Sequence, residues 1–196
     1  MIGSSVDILI LDAHGVVFNN PLPSFLKRLA AMTGQRGDDV LRRWHHELRM
    51  PAWTGGISDD EIWHRLTGGQ GDPECWQSLL ETCYALGPVG SRLSLLPKTL
   101  PIWILSNHRT TWLHRRLKRF GLLERFEQVI VSEDLCLAKP DLRLFQAVMN
   151  RVPESKQVLF IDDNSQNLAA ASLAGMDAIH VAKLVMPGER KRDRSK

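Results

Sequence analysis

The sequence predicts an α/β fold: a mostly parallel sheet with helices on both faces, interrupted by a helical insert after the first strand. Three observations carry this. Short apolar runs recur along the chain, and amphipathic helical stretches separate the later ones. Residues 19–90 break that rhythm, with helical patterns and almost no strand-like run. Alternation of this kind places parallel strands side by side with crossover helices covering them.

The first run, VDILIL at 6–11, ends on Asp12. Within the insert, Asp38 and Asp39 precede Val40, Leu41, Trp44 and Leu48 at helical spacing. Ser58-Asp59-Asp60-Glu61 reads as a capping box, Ser58 serving as N-cap and Glu61 reaching back to it. Asp72-Pro73-Glu74 opens another helix, proline being tolerated in a first turn. Trp44, Trp53, Trp63 and Trp76 all fall here, and filling a small helical core is the reading preferred to stacking on a substrate. After the insert come strands PIWIL (101–105), QVIV (128–131), QVLFI (157–161) and AIHV (178–181). Helices are expected at 109–120, on Trp112, Leu113, Leu117 and Phe120, and at 141–150, on Leu144, Phe145 and Val148.

Composition is ordinary for a globular protein of one core domain with a smaller insert. No apolar run reaches membrane-spanning length, and MIGSSVDILILDAHG lacks the basic start of a signal peptide, so a cytoplasmic protein without membrane contact is expected. The net charge of +3 is concentrated at one end: from Lys183 onward six basic residues face two acidic ones. The end segment, ERKRDRSK, is expected to be a solvated tail, and with no interleaved aromatics it predicts no nucleic-acid partner. Cys75, Cys83 and Cys136 lack metal-site spacing, and no disulfide is expected between the first two.

The polar residues that follow the strands suggest chemistry. Asp12 ends the first strand and Ser106-Asn107 the second; Lys139-Pro140 follows the third, and Asp162-Asp163-Asn164 ends the fourth. A parallel sheet delivers all four clusters to one edge, where ligands of open α/β sheets bind. A carboxylate can attack phosphorus, acidic oxygens hold Mg²⁺, and a cation with hydroxyl and amide donors steadies phosphoryl oxygens.

In these motifs the chain resembles the haloacid dehalogenase-like hydrolases, in the phosphatase branch with a helical cap. LDAHGVVF, ILSNH, LAKPDLRLF and FIDDNSQNLAAASLAGMDAIHV stand in the family's order, and WTGGISDDEIW resembles its phrase before a cap helix. The resemblance implies a Rossmann-like core over 1–18 and 91–185, a cap over 19–90 and a basic tail over 186–196. It implies Asp12 as nucleophile, and Mg²⁺ on Asp12, Asp162 and the main-chain carbonyl of His14. Asp163 would contribute through water or by orienting Lys139. Ser106, the Asn107 backbone N–H and Lys139 would hold the phosphate of a small phosphorylated substrate. Asn167 is read either as fixing the loop or as an exposed helix residue.

His14 departs from the family, whose phosphatases carry at that position an aspartate that protonates the leaving oxygen and then activates water. Three readings stand. His14 takes over as acid and base, since imidazole titrates near neutrality. Alternatively the acid–base function is lost, leaving a slow phosphatase or a phosphate-binding or regulatory protein. Third, the site belongs to a dehalogenase, a branch that also lacks the second aspartate but has no need of the Asp162-Asp163 pair. His45, His46 and His64 are expected to be solvated or in the cap core, His108 to start a helix, and Arg109 either to meet an anionic substrate or to lie exposed.

Overall fold

The computed structural model describes residues 6–184; the expected basic tail at 186–196 lies outside them. Five parallel strands form one sheet: β1 (Ile8–Leu11), β2 (Ile102–Ser106), β3 (Gln128–Val131), β4 (Val158–Asp162) and β5 (Asp177–His180), in the order β3-β2-β1-β4-β5. The chain winds outward from β1 to β3, then crosses back to β4 on the other side of β1. A crevice therefore opens beyond the carboxyl ends of β1 and β4, where the connections diverge. The register sets its contents: Leu11 pairs with Ile161, so Asp12 and Asp162, each one residue further on, end adjacent strands at the same level.

The central strands β1, β2 and β4 are almost wholly apolar because both of their faces are covered. Leu9, Leu11, Ile104 and Ile161 face helix α6 (Thr110–Arg119) and the insert, while Ile10, Leu105 and Phe160 face α7 (Leu142–Met149) and α8 (Ser165–Leu173). This alternation is the strand period of two, read here by two different helical layers.

Between β1 and β2 lie helices α1 (Leu22–Met32), α2 (Gly37–Arg43), a π-helical turn (Trp44–Leu48), α3 (Arg49–Trp53), α4 (Asp59–Thr67) and α5 (Pro73–Thr82). The chain leaves and re-enters this block side by side: Asn19 N–H donates to Ala85 O at 3.0 Å, and Ala85 N–H to Asn19 Oδ1 at 2.7 Å. Ser58 accepts from Glu61 N–H as expected, but Glu61 does not reach back; its carboxylate turns to Arg65. Asp72 caps α5 with Pro73 in its first turn. Trp63 is core, stacked on Trp112 of α6 at 5.5 Å, so the insert and the sheet share one continuous apolar interior. Trp53 instead stands half-buried at a cleft. All three cysteines are free.

Candidate active site

The site forms where the strand ends meet. Lys139 Nζ is buried between two carboxylates, 2.7 Å from Asp12 Oδ1 and 2.8 Å from Asp162 Oδ2, and donates to Leu105 O at 3.1 Å. Burial works against the ammonium charge, but Asp12 and Asp162 outweigh it and hold Lys139 above its ordinary pKa. Burial raises the Asp12 carboxyl, with Lys139 opposing and Asp162 adding to the rise. Oδ1 of Asp12 also accepts from Ala13 N–H at 2.7 Å, which leaves Oδ2 as the oxygen without a partner among the described residues. Asp12 lines a cleft of about 620 Å³ together with Asn107, Lys139, Asp163 and Asn167.

The motifs brace one another. Asn107 clamps the Lys139 peptide with two bonds, donating Nδ2–H to Lys139 O at 2.8 Å and accepting Lys139 N–H at 2.7 Å. Its side chain thus positions the lysine loop. Asn167 is buried and donates to Asp162 Oδ2 at 3.0 Å, which decides between its two sequence readings. Asp163 does not orient Lys139: Asp12 and Asp162 do, while Asp163 stands exposed against Gly15. Gly15 is required there, since φ is +78° and a Cβ would come within 2.0 Å of Asp163 Oδ2.

Oxygens of Asp12, Asp162 and Asp163 lie within 4.8 Å of one another. Three carboxylates against one lysine leave an excess of negative charge, and an all-oxygen donor set suits a hard divalent cation such as Mg²⁺. Beside them Ser106 Oγ is buried with no hydrogen-bond partner, a donor that an incoming phosphoryl oxygen would satisfy.

His14 heads a network that the sequence did not suggest. Its Nε2 lies 3.1 Å from Arg116 and 3.0 Å from Tyr84 Oη. Arginine only donates, so Nε2 accepts and the neutral ring carries its proton on Nδ1. Burial, then the Arg116 charge, hold His14 well below the ordinary histidine range. Arg116 is fully buried on α6. It grips Glu81 through Nε at 3.1 Å and a second nitrogen at 2.6 Å, meets His108 Nε2 at 2.9 Å and lies 3.2 Å over the Tyr84 ring. His108 is therefore a buried member of this cluster as well as the residue before a helix. The available signal was Arg116 itself, a charge on the apolar face of α6 between Trp112 and Phe120. Arg109 does not lie exposed: its side chain is largely buried. It ties the insert to the sheet through Asp59 at 2.8 Å, Ile57 O at 2.9 Å and Glu133 at 2.8 Å. His46 and His64 are solvated.

A β1 carboxylate, a β4 acid and a lysine from the third loop thus meet beyond the strand ends of a parallel α/β sheet. Residues 93–181, a little under half of the chain, match the family model for haloacid dehalogenase-like hydrolases. A sesquiterpene phosphatase of Aspergillus oryzae is 25% identical over 134 residues, 65% of this chain and 68% of that protein. A glyceraldehyde 3-phosphate phosphatase of Methanothermobacter thermautotrophicus is 28% identical over 101 residues, and the match spans under half of its length (44%) and 50% of this chain. Among solved structures, a wild-type family enzyme of Bacteroides thetaiotaomicron in complex with magnesium and inorganic phosphate superposes with a TM-score of 0.70, at 18% identity, over 96% of this chain and 98% of that one. The L-2-haloacid dehalogenase of Xanthobacter autotrophicus superposes with a TM-score of 0.65, at 20% identity, over 92% and 79%. These structural likenesses establish the shared fold. No helix of the described residues is long and apolar enough to cross a membrane.

Proposed function

We propose that this protein is a magnesium-dependent phosphomonoester hydrolase working through an aspartyl-phosphate on Asp12, with residues 19–90 acting as its cap. The observation that carries the reading is the Asp12–Lys139–Asp162 cluster with Asp163 beside it and one Asp12 oxygen left open. The dehalogenase reading gives no part to a metal-holding pair such as Asp162 and Asp163.

Asp12, Asp162 and the main-chain carbonyl of His14 would hold the ion, with Asp163 beside them; bound there, Mg²⁺ supplies the charge that lets a carboxylate approach a phosphate. Asp12 Oδ2 attacks phosphorus, the bond from phosphorus to the ester oxygen breaks, and the phosphoryl group rests on Asp12 until water removes it. Lys139 and Ser106 steady its peripheral oxygens.

His14 acts in this scheme as a hydrogen-bond donor through Nδ1–H. Giving up that proton would leave an imidazolate, and charging the ring would turn Nε2–H against the Arg116 guanidinium. This favours the reading in which full proton transfer is weakened, and with it esters whose leaving group needs little protonation. A lost general acid is worth about 10²–10⁴ in rate. Hydrolysis of 4-nitrophenyl phosphate with Mg²⁺ tests the assignment: Asp12→Asn is expected to lower the rate by at least a thousandfold. An unchanged rate in that variant removes Asp12 as nucleophile.

A further inference from the structure

A second, smaller cavity of about 110 Å³ lies between the insert and the sheet, separate from the phosphate cleft but sharing walls with it. His14, Asn20, Arg49 and Trp53 line both. Beyond this common wall the small cavity is framed by Leu22, Leu26, Trp44, Leu80, Tyr84 and Trp112. We propose that this cavity receives the leaving group of the substrate, and that this group is apolar and of single-ring size, such as a phenol.

The inference rests on the phosphatase reading for the position of phosphorus, and on the cavity for everything else. An ester whose phosphoryl group sits at Asp12 must send its remaining atoms past His14, the residue two positions on that belongs to both spaces. What they meet is mainly aromatic and aliphatic, with His45, His108 and Arg109 at its margin. On the wall away from the cleft, the polar atoms of Tyr84 and His108 are already engaged: Tyr84 Oη with His14 at 3.0 Å, His108 Nε2 with Arg116 at 2.9 Å, and His108 Nδ1 with Arg109 O at 3.0 Å. A sugar or polyol would bring hydroxyls that find no partners there and lose their water. A ring meets Trp44, Tyr84 and Trp112 without that penalty. Size bears on the choice as well. A closed apolar cavity of about 150 Å³ holds benzene; this one, about 110 Å³ with four residues shared with the cleft, is scaled to one ring rather than two fused rings. At the junction, Arg49 Nε is buried without a partner while its guanidinium lies 5.1 Å over the Trp53 ring. It is placed to meet an ester oxygen as the substrate spans the two spaces.

Binding of non-hydrolysable phosphonates tests this independently of turnover. In isothermal titration with Mg²⁺ present, phenylphosphonate is expected to bind at least tenfold more tightly than 2,3-dihydroxypropylphosphonate, and 2-naphthylphosphonate no more tightly than phenylphosphonate. The expectation follows from roughly fourfold in affinity per methylene-sized group buried. Leu22 is part-exposed and lines only the small cavity. Leu22→Asn should weaken phenylphosphonate at least fivefold and change methylphosphonate by less than twofold; Leu22→Ala, milder for folding, should weaken it in the same direction. Equal affinity for the phenyl and dihydroxypropyl compounds overturns the proposal, as does tighter binding of the naphthyl compound or indifference to Leu22. Phosphate release from 4-nitrophenyl phosphate, measured alongside, separates the two claims. Turnover without phenyl selectivity sinks the leaving-group pocket alone, while selective phosphonate binding with no turnover supports the pocket and sinks hydrolysis.

Discussion

Removing one partner of the Arg116–Glu81 pair is expected to destabilise the protein far more than removing both. The side chains are 0% and 6% exposed, and two N–H groups of Arg116 point at the two Glu81 oxygens, at 3.1 and 2.6 Å. Glu81→Leu leaves a guanidinium buried beside Tyr84 and two histidines that cannot neutralise it. Breaking such a pair costs about 3–5 kcal/mol. For a chain of this size that corresponds to a fall of about 6–20 °C in melting temperature. Arg116→Met leaves Glu81 with only Gln77 as a side-chain donor, at 3.1 Å, and should fall in the same range. The double variant Glu81→Leu/Arg116→Met replaces both charges with apolar groups of similar volume and should recover most of the loss. Thermal denaturation followed by circular dichroism compares the four proteins. A Glu81→Leu loss under about 1 kcal/mol, or a double variant as unstable as the two single losses added together, would refute the description of this pair as a desolvated charge bridge between α5 and α6.

Asn167→Leu removes the amide that steadies Asp162, and Mg²⁺ uptake measured by calorimetry should weaken by about tenfold or more. Gly15→Ala forces a Cβ onto Asp163 Oδ2 in a left-handed backbone position, so both melting temperature and Mg²⁺ affinity should drop; a variant that matches wild type in both would contradict the close approach. Tyr84 is the sole tyrosine of the chain, and burial pushes its phenol up to about 12, with Arg116 opposing. Ultraviolet titration should therefore show one step near that value in the folded protein and one near 10 in denaturant. The sign follows: the neutral phenol is favoured by the fold, so this contribution is complete below about pH 10 and disappears as pH rises through about 12. His14→Asp puts a carboxyl where the imidazole stands. Hydrolysis of alkyl phosphates should rise by at least tenfold relative to 4-nitrophenyl phosphate; no change in that ratio would mean that His14 already transfers the proton.

Sequence alone determined the layers of this protein and the edge at which its chemistry lies. Apolar runs closed by Asp12, Ser106 and Asp162 already state which strands are buried and where each ends, because a strand covered on both faces is an unbroken apolar run, which is a local pattern. The parallel order then follows from the helices between them, and the convergence of Asp12, Lys139 and Asp162 follows from that order. The tertiary structure alone decided what the side chains around His14 do. Arg116 comes from α6, Glu81 and Tyr84 from the end of the insert, and His108 from the turn after β2; their meeting depends on how one helix faces another. The same holds for Arg109, which binds backbone carbonyls and carboxylates from three segments, and for the small aromatic cavity, an empty space that belongs to no single segment. Periodicity reports that a residue is covered. It does not carry the identity of the group that covers it, because that group lies tens of residues away and is brought there only by packing.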